Sequence, residues 1–283
     1  MNKTYLEVSI TASSSQQELL IPTLIELGFQ GFLEDDSGFK SYMDVSKWSE
    51  DRFNMLQNDL SSLLQTISSN AVFKFRTFQE ENWNEQWEKS LRPVEVGEKI
   101  VIKPSWCEYD NVNKRIVIQI DPKMSFGTGY HETTRLTLQL LEKYLAFGSK
   151  VLDVGTGTGI LAIAAIKLGA SFAFGNDIDE WSIENAQENI IANGVSDKID
   201  ISYKSVQEIS QNDFDIITAN LTLNTNIELL PDFVRVLKPT GILLLSGLLQ
   251  HDHEKMIEAI TSQGLILLEE LRENEWIALA ARK

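Results

Sequence analysis

Val151-Leu152-Asp153-Val154-Gly155-Thr156-Gly157-Thr158-Gly159-Ile160-Leu161 is the stretch that decides how the rest of this chain folds. An apolar strand runs into three glycines at alternate positions and then into an apolar run, Ile160 to Leu168, that reads as a helix. Glycines let the backbone turn tightly and approach a ligand with no Cβ in the way. A nucleotide-like group belongs at such a turn. The dinucleotide fingerprint Gly-x-Gly-x-x-Gly needs glycine at position 160, where this chain has isoleucine, so a pyrophosphate reading is disfavoured. Alone, the turn is as readily a structural strand-to-helix connection as a binding loop.

On both sides of this turn strands and helices alternate. The spacing predicts helices over 132–145, 160–168, 181–193, 226–236 and 253–262. Strands are expected over 150–154, 171–176, 199–203, 214–219 and 242–246, the last following the turn signal Lys238-Pro239-Thr240-Gly241. Two more, 265–271 and 276–281, are separated only by Arg272-Glu273-Asn274-Glu275. Alternation of this kind demands a parallel sheet with helices on both faces, and a connection so short makes the final strand antiparallel. The expected fold of residues 121–283 is Rossmann-like α/β, with a seven-stranded, mostly parallel sheet and an antiparallel last strand.

In front lies a different pattern. Residues 1–78 read as β-α-β-β-α-β, with Phe53, Leu56, Leu60, Leu63, Leu64 and Ile67 marking the second helix. This order closes into a ferredoxin-like α+β domain. Between the two, residues 79–120 form a connector with a helix bearing Trp83 and Trp87 on one face, then β-rich pieces at 100–102 and 116–118. Large aromatics at that spacing are read first as packing groups.

Composition narrows the function. With 41 acidic and 25 basic residues in 283, the net charge is −16. Such a surface repels nucleic-acid phosphates and favours basic partners. Direct nucleic-acid binding is therefore not expected. The single Cys107 and three histidines do not make a zinc site or an internal disulfide, so no metal is expected and a reducing, cytoplasmic location is. The start, Met1 to Ile10, alternates like a strand and lacks a secretion signal, and the most apolar stretch, Gly241 to Leu249, is too short to span a bilayer. A monomer away from membranes is the expected state.

Three further signals carry chemistry. Asp177 lies 22 residues after Gly155, the distance at which a βαβ unit brings a carboxylate to the two hydroxyls of a ribose. Asp179, in contrast, opens a helix and reads as an N-cap. Asn220 follows the apolar run 214–219, where open α/β sheets place their ligands, and its carboxamide suits orienting a neutral amine. The segment Phe126-Gly127-Thr128-Gly129-Tyr130-His131-Glu132-Thr133-Thr134 is a bent loop entering a helix, whose first turn meets anions. His131 is read as structural.

Together these segments resemble the bacterial methyltransferases that modify large-subunit ribosomal protein L11. The likeness rests on 126–134, the glycine turn, Asn176-Asp177-Ile178-Asp179 and Ala219-Asn220. It extends to Ser246-Gly247-Leu248, Glu275-Trp276, Trp83 to Trp87 and Lys103-Pro104-Ser105-Trp106, so it covers residues 80–283. The resemblance implies a class I methyltransferase domain that takes S-adenosylmethionine and methylates lysine side chains and the N-terminal amine of L11. It implies that Thr134, Gly155, Gly157, Asp177 and Asn220 contact the cofactor, with Phe126 and Thr128 over the methyl donor, Asn220 as the catalytic residue and the front domain as the substrate-recognition part. One departure is Leu221, where the family commonly has isoleucine. The rival readings are a methyltransferase of another protein or of RNA, which for RNA would want a basic face, a nicotinamide-dependent oxidoreductase, disfavoured by Ile160 and the closing hairpin, and a non-catalytic binding module.

Overall fold

The computed structural model describes residues 4–12, 14–35, 38–46, 48–67, 72–79, 91–121 and 127–283. The chain divides into two compact units, Met1–Trp87 and Glu88–Lys283. In the first, β1 (Thr4–Thr11), α1 (Ser14–Glu26), β2 (Gln30–Asp35), β3 (Gly38–Asp44), α2 (Glu50–Ile67) and β4 (Val72–Gln79) follow one another. The sheet order is β2-β3-β1-β4 and every pair is antiparallel, which is the ferredoxin-like arrangement. Leu6, Val8 and Ile10 alternate on one face of β1 and pack with Leu20 and Leu24 of α1 and Leu56 and Leu60 of α2. A period of two on the strand thus meets periods of three and four on the helices.

The second unit begins with a small sheet, β5 (Val94–Val96), β6 (Ile100–Lys103) and β7 (Ile116–Gln119), in which β6 and β7 run parallel. These strands occupy part of the stretch read as a connector. β5 had no counterpart in the sequence reading, because three residues carry almost no periodic signal.

Then come α3 (Glu132–Tyr144), β8 (Lys150–Val154), α4 (Ile160–Leu168), β9 (Phe172–Asp177), α5 (Glu180–Ala192), β10 (Ile199–Tyr203) and β11 (Phe214–Asn220). The unit closes with α6 (Leu223–Val236), β12 (Leu237–Leu249), α7 (His253–Ser262), β13 (Ile266–Glu273) and β14 (Trp276–Arg282). The seven strands are ordered β10-β9-β8-β11-β12-β14-β13, and β14 is antiparallel to both neighbours. The expected mostly parallel sheet with an antiparallel last strand is therefore present. Direction of growth reverses between β8 and β11, which opens a crevice at their carboxyl ends.

Successive buried residues of the central strands face opposite cores. Val151 faces one core with Leu136, Leu140, Ile163 and Ile190, while Leu152 and Val154 face the other with Leu230, Phe233, Met256 and Ile260. β12 starts earlier than the sequence suggested: its register jumps from Phe214↔Leu237 to Ile216↔Ile242, so residues 238–241 bulge out between two stretches of pairing. Among the described residues no helix is long and apolar enough to cross a membrane.

Phe233 has no exposed surface and sits at the centre of the second core. Phe233→Ala is expected to lower the stability of this unit by about 3–5 kcal/mol, since the cavity adds to the lost transfer energy. Urea unfolding followed by tryptophan fluorescence measures it, and a loss below about 1 kcal/mol contradicts the packing described.

Candidate active site

The site is built where β8 ends. Gly155, Gly157 and Gly159 adopt φ of +69°, +55° and +81°, the left-handed region that residues with a Cβ rarely enter. In this shape the Gly155 and Thr156 amides both donate to the Asn176 carbonyl, at 2.9 and 3.0 Å. One residue on, the Gly157 amide donates to Asp177 Oδ2 at 2.9 Å. Asp177 Oδ1 accepts the amides of Ile178 and Asp179 at 2.8 and 3.1 Å. A carboxylate offers about four accepting positions. Three are thus taken by backbone, which leaves one accepting position on Oδ2. Asp179 caps α5, with Oδ2 accepting the Ser182 amide at 3.1 Å, as an N-cap should.

Beside Asp177 lies a cavity of about 290 Å³, lined by Val154, Gly155, Ile178, Val206, Leu221 and Leu229, with Ser205, Gln207, Thr225 and Glu228 at its polar parts. A Cβ at Gly155 would stand 2.6 Å from Leu221 Cδ2, so glycine is needed for this approach.

Asn220, the last residue of β11, donates from Nδ2 to Thr134 Oγ1 at 3.3 Å. Its Oδ1 is buried and has no hydrogen-bond partner among the described residues. Thr134 itself is buried in the first turn of α3. His131 caps that helix: Nδ1 accepts the Thr133 amide at 3.3 Å, and the ring meets Trp276 edge-on with centroids 4.8 Å apart. Both contacts agree with the structural reading of His131.

Thr128 stands between Gly127 and Gly129, whose φ values are +99° and +86°. The Gly127 carbonyl accepts the Thr158 hydroxyl at 2.5 Å, which ties this loop to the glycine turn. Gly129 lies against Ile102, with room for no Cβ. The structure therefore brings Thr128, Thr134, Gly155, Gly157, Asp177 and Asn220 to one end of the sheet. Phe126, Trp83 and Trp87 lie outside the described residues.

Two groups of supporting residues escaped the sequence reading. Asn189 on α5 and Asn193 at its C-cap form a column. Asn193 exchanges bonds with the backbone of Gln119, accepting its amide at 3.0 Å and donating to its carbonyl at 2.7 Å. Asn189 accepts the Asp121 amide at 3.2 Å and donates to the Thr158 carbonyl at 3.0 Å. Their i, i+4 spacing, extended one turn back to Asn185, was the available signal. The other group centres on Asp153, which is fully buried and accepts the hydroxyls of Thr156 and Thr218, each at 2.7 Å. Burial pushes its carboxyl up to about 6, although both hydroxyls pull the other way.

Residues 4–283 match the family described as ribosomal protein L11 methyltransferase. The chain belongs to the ribosomal protein L11 methyltransferase family. A relative of that name from Desulforamulus reducens is 35% identical over 239 residues, which is 84% of this chain and 77% of the relative. Another from Caldanaerobacter subterraneus subsp. tengcongensis is 32% identical over 308 residues, 99% of each chain. The crystal structure of a ribosomal protein L11 methylase from Lactobacillus delbrueckii subsp. bulgaricus is similar with a TM-score of 0.64 and 32% identity, covering 68% of this chain and all 100% of that one. As a member of the L11 methyltransferase family, the chain is a methyltransferase with the class I fold.

Asp153 gives this family member a pH signature. Its carboxyl titrates at about 6 in the fold against 3.8 as the ordinary value. The folded chain thus holds this proton more tightly, a stabilisation complete below the unfolded value and lost as pH rises through the folded one. Relative to Asp153→Asn, the wild-type urea midpoint should fall between about pH 4 and about pH 6.5 and stay level above that. A difference independent of pH contradicts it.

Proposed function

We propose that this chain moves methyl groups from S-adenosylmethionine to lysine side-chain and N-terminal amines of ribosomal protein L11, with Asn220 holding the acceptor nitrogen. One observation carries the proposal. Asn220 Oδ1 is a buried acceptor with no partner among the described residues, while Nδ2 is committed to Thr134, so the side chain is set to receive an N–H. An unpaired buried acceptor is costly unless a ligand completes it.

The residues fit the cofactor. The cavity next to Asp177 has apolar walls suited to a flat base, Oδ2 of Asp177 keeps an accepting position for a ribose hydroxyl, and Gly155, Gly157 and Gly159 present no Cβ. Gly155, Gly157, Asp177, Thr134 and Asn220 would hold the group, with Phe126 and Thr128 completing the set that the family resemblance assigns to it. When bound, it supplies a methyl already activated by the positive charge on its sulfur.

The chain's own task is then mostly placement. Asn220 Oδ1 accepts one N–H of the acceptor amine, which keeps the nitrogen lone pair turned away from the carboxamide. Withdrawal of the amine from water at Asn220 disfavours its charged form, so the ammonium proton leaves to solvent on entry. A net charge of −16 supports a lysine-rich protein substrate over RNA. Residues 1–78 serve as the substrate-recognition domain and 121–283 as the catalytic domain, in a cytoplasmic monomer.

Incubation with methyl-labelled S-adenosylmethionine and ribosomal proteins from a strain lacking the activity should label L11. Label on RNA alone, or none, overturns the reading. Asp177→Ala is expected to weaken cofactor binding by about tenfold or more, the worth of one hydrogen bond to a charged group. Asn220→Ala is expected to lower kcat by about 100-fold, a larger loss than its effect on cofactor affinity. Calorimetry and single-turnover rates separate the two, and wild-type behaviour in either variant removes that residue's role.

A further inference from the structure

The residue after Asn220 is held more firmly than any strand pairing requires. Leu221 donates its amide to the Ser246 carbonyl at 3.1 Å. Its carbonyl accepts Nδ2 of Asn226 at 2.8 Å, and the same Nδ2 donates its other hydrogen to the Ser246 carbonyl at 3.0 Å. Both acceptors are carbonyl oxygens, so the orientation of the carboxamide is determined. Gly247, at φ +78°, closes the clamp: a Cβ there would stand 2.2 Å from the Leu221 carbonyl oxygen. The Leu221 side chain in turn rests on Gly155, so the clamped residue links Asn220 to the glycine turn.

Asn226 lies in the first turn of α6, fully buried, and its Oδ1 has no partner among the described residues. Burying an unsatisfied acceptor destabilises a fold, and an apolar side chain of similar size would fill the position without that loss. A buried amide retained under those terms is explained by what its two donated bonds hold in place.

We propose that Asn226 is a positioning residue for methyl transfer: by fixing the Leu221 carbonyl it sets where the Asn220 carboxamide stands. This rests on the role given to Asn220 above. Asn226 touches neither acceptor nor cofactor. Its contribution is to orientation, where small displacements change rates by large factors.

The test is a double-mutant cycle on the full chain with L11 as acceptor. Asn226→Leu keeps the volume and removes both donated bonds. The expected result is a kcat lower by about tenfold, with KM for L11 and the dissociation constant of S-adenosylhomocysteine within about twofold of wild type. In an Asn220→Ala background the same change should cost nothing more, because the group it positions is gone. Gly247→Ala, which pushes the same carbonyl from the other side, should behave alike and serves if Asn226→Leu does not fold. A stability change alone would lower the unfolding temperature without this pattern. If Asn220→Ala lowers kcat and Asn226→Leu lowers it by the same factor in both backgrounds, or not at all, the positioning role is overturned while the role of Asn220 stands. If Asn220→Ala keeps the wild-type kcat, the role of Asn220 falls and the positioning role falls with it.

Discussion

The hydrogen bond from the Gly157 amide to the Asp177 carboxylate is the contact on which the site depends. It joins the turn after β8 to the end of β9, and only a turn with glycine at 155 and 157 can present that amide in the required direction. The same carboxylate is aimed by the amides of Ile178 and Asp179. Its direction is therefore set by backbone, the least mobile part of the structure, and one accepting position remains for a ligand. Were the turn to relax, both the cavity wall at Gly155 and the approach of Leu221 would go with it.

Around this contact the fold supplies support in successive layers. Asp153, beneath the turn, is held by the hydroxyls of Thr156 and Thr218 and so ties β8 to the turn on one side and to β11 on the other. Asn189 holds Asp121 and the Thr158 carbonyl, while the Thr158 hydroxyl holds Gly127. Both described ends of the segment between 121 and 127 are thus fastened to the glycine turn or the helix behind it. Polar groups buried in this way are expensive to leave unmade and geometrically exacting when made, which suits a site whose chemistry depends on placement.

Much of this was legible in the sequence, and the reason is local. The glycines at 155, 157 and 159 declare a backbone conformation, and the apolar runs on either side declare strand and helix, so the Rossmann-like sheet and the crevice follow from short-range patterns. The places of Asp177 and Asn220 at strand ends were readable because position relative to an apolar run is itself a one-dimensional property. What stayed hidden involves partners distant in the chain. Nothing in the run 151–154 says that Asp153 will meet Thr218, and nothing at Asn226 says that its amide will reach the Ser246 carbonyl. β5 was too short to show a period, and the bulge at 238–241 looked like a break because its two flanks pair with the same neighbour three residues out of step.

The claim that Asp177 holds a ribose through its remaining accepting position is tested most directly by comparing S-adenosylhomocysteine with its 2′,3′-dideoxy analogue in calorimetric titrations. The account predicts that loss of the hydroxyls weakens binding to the wild-type chain by about tenfold or more and makes no difference to Asp177→Ala. Equal binding of the two compounds to the wild-type chain would contradict it.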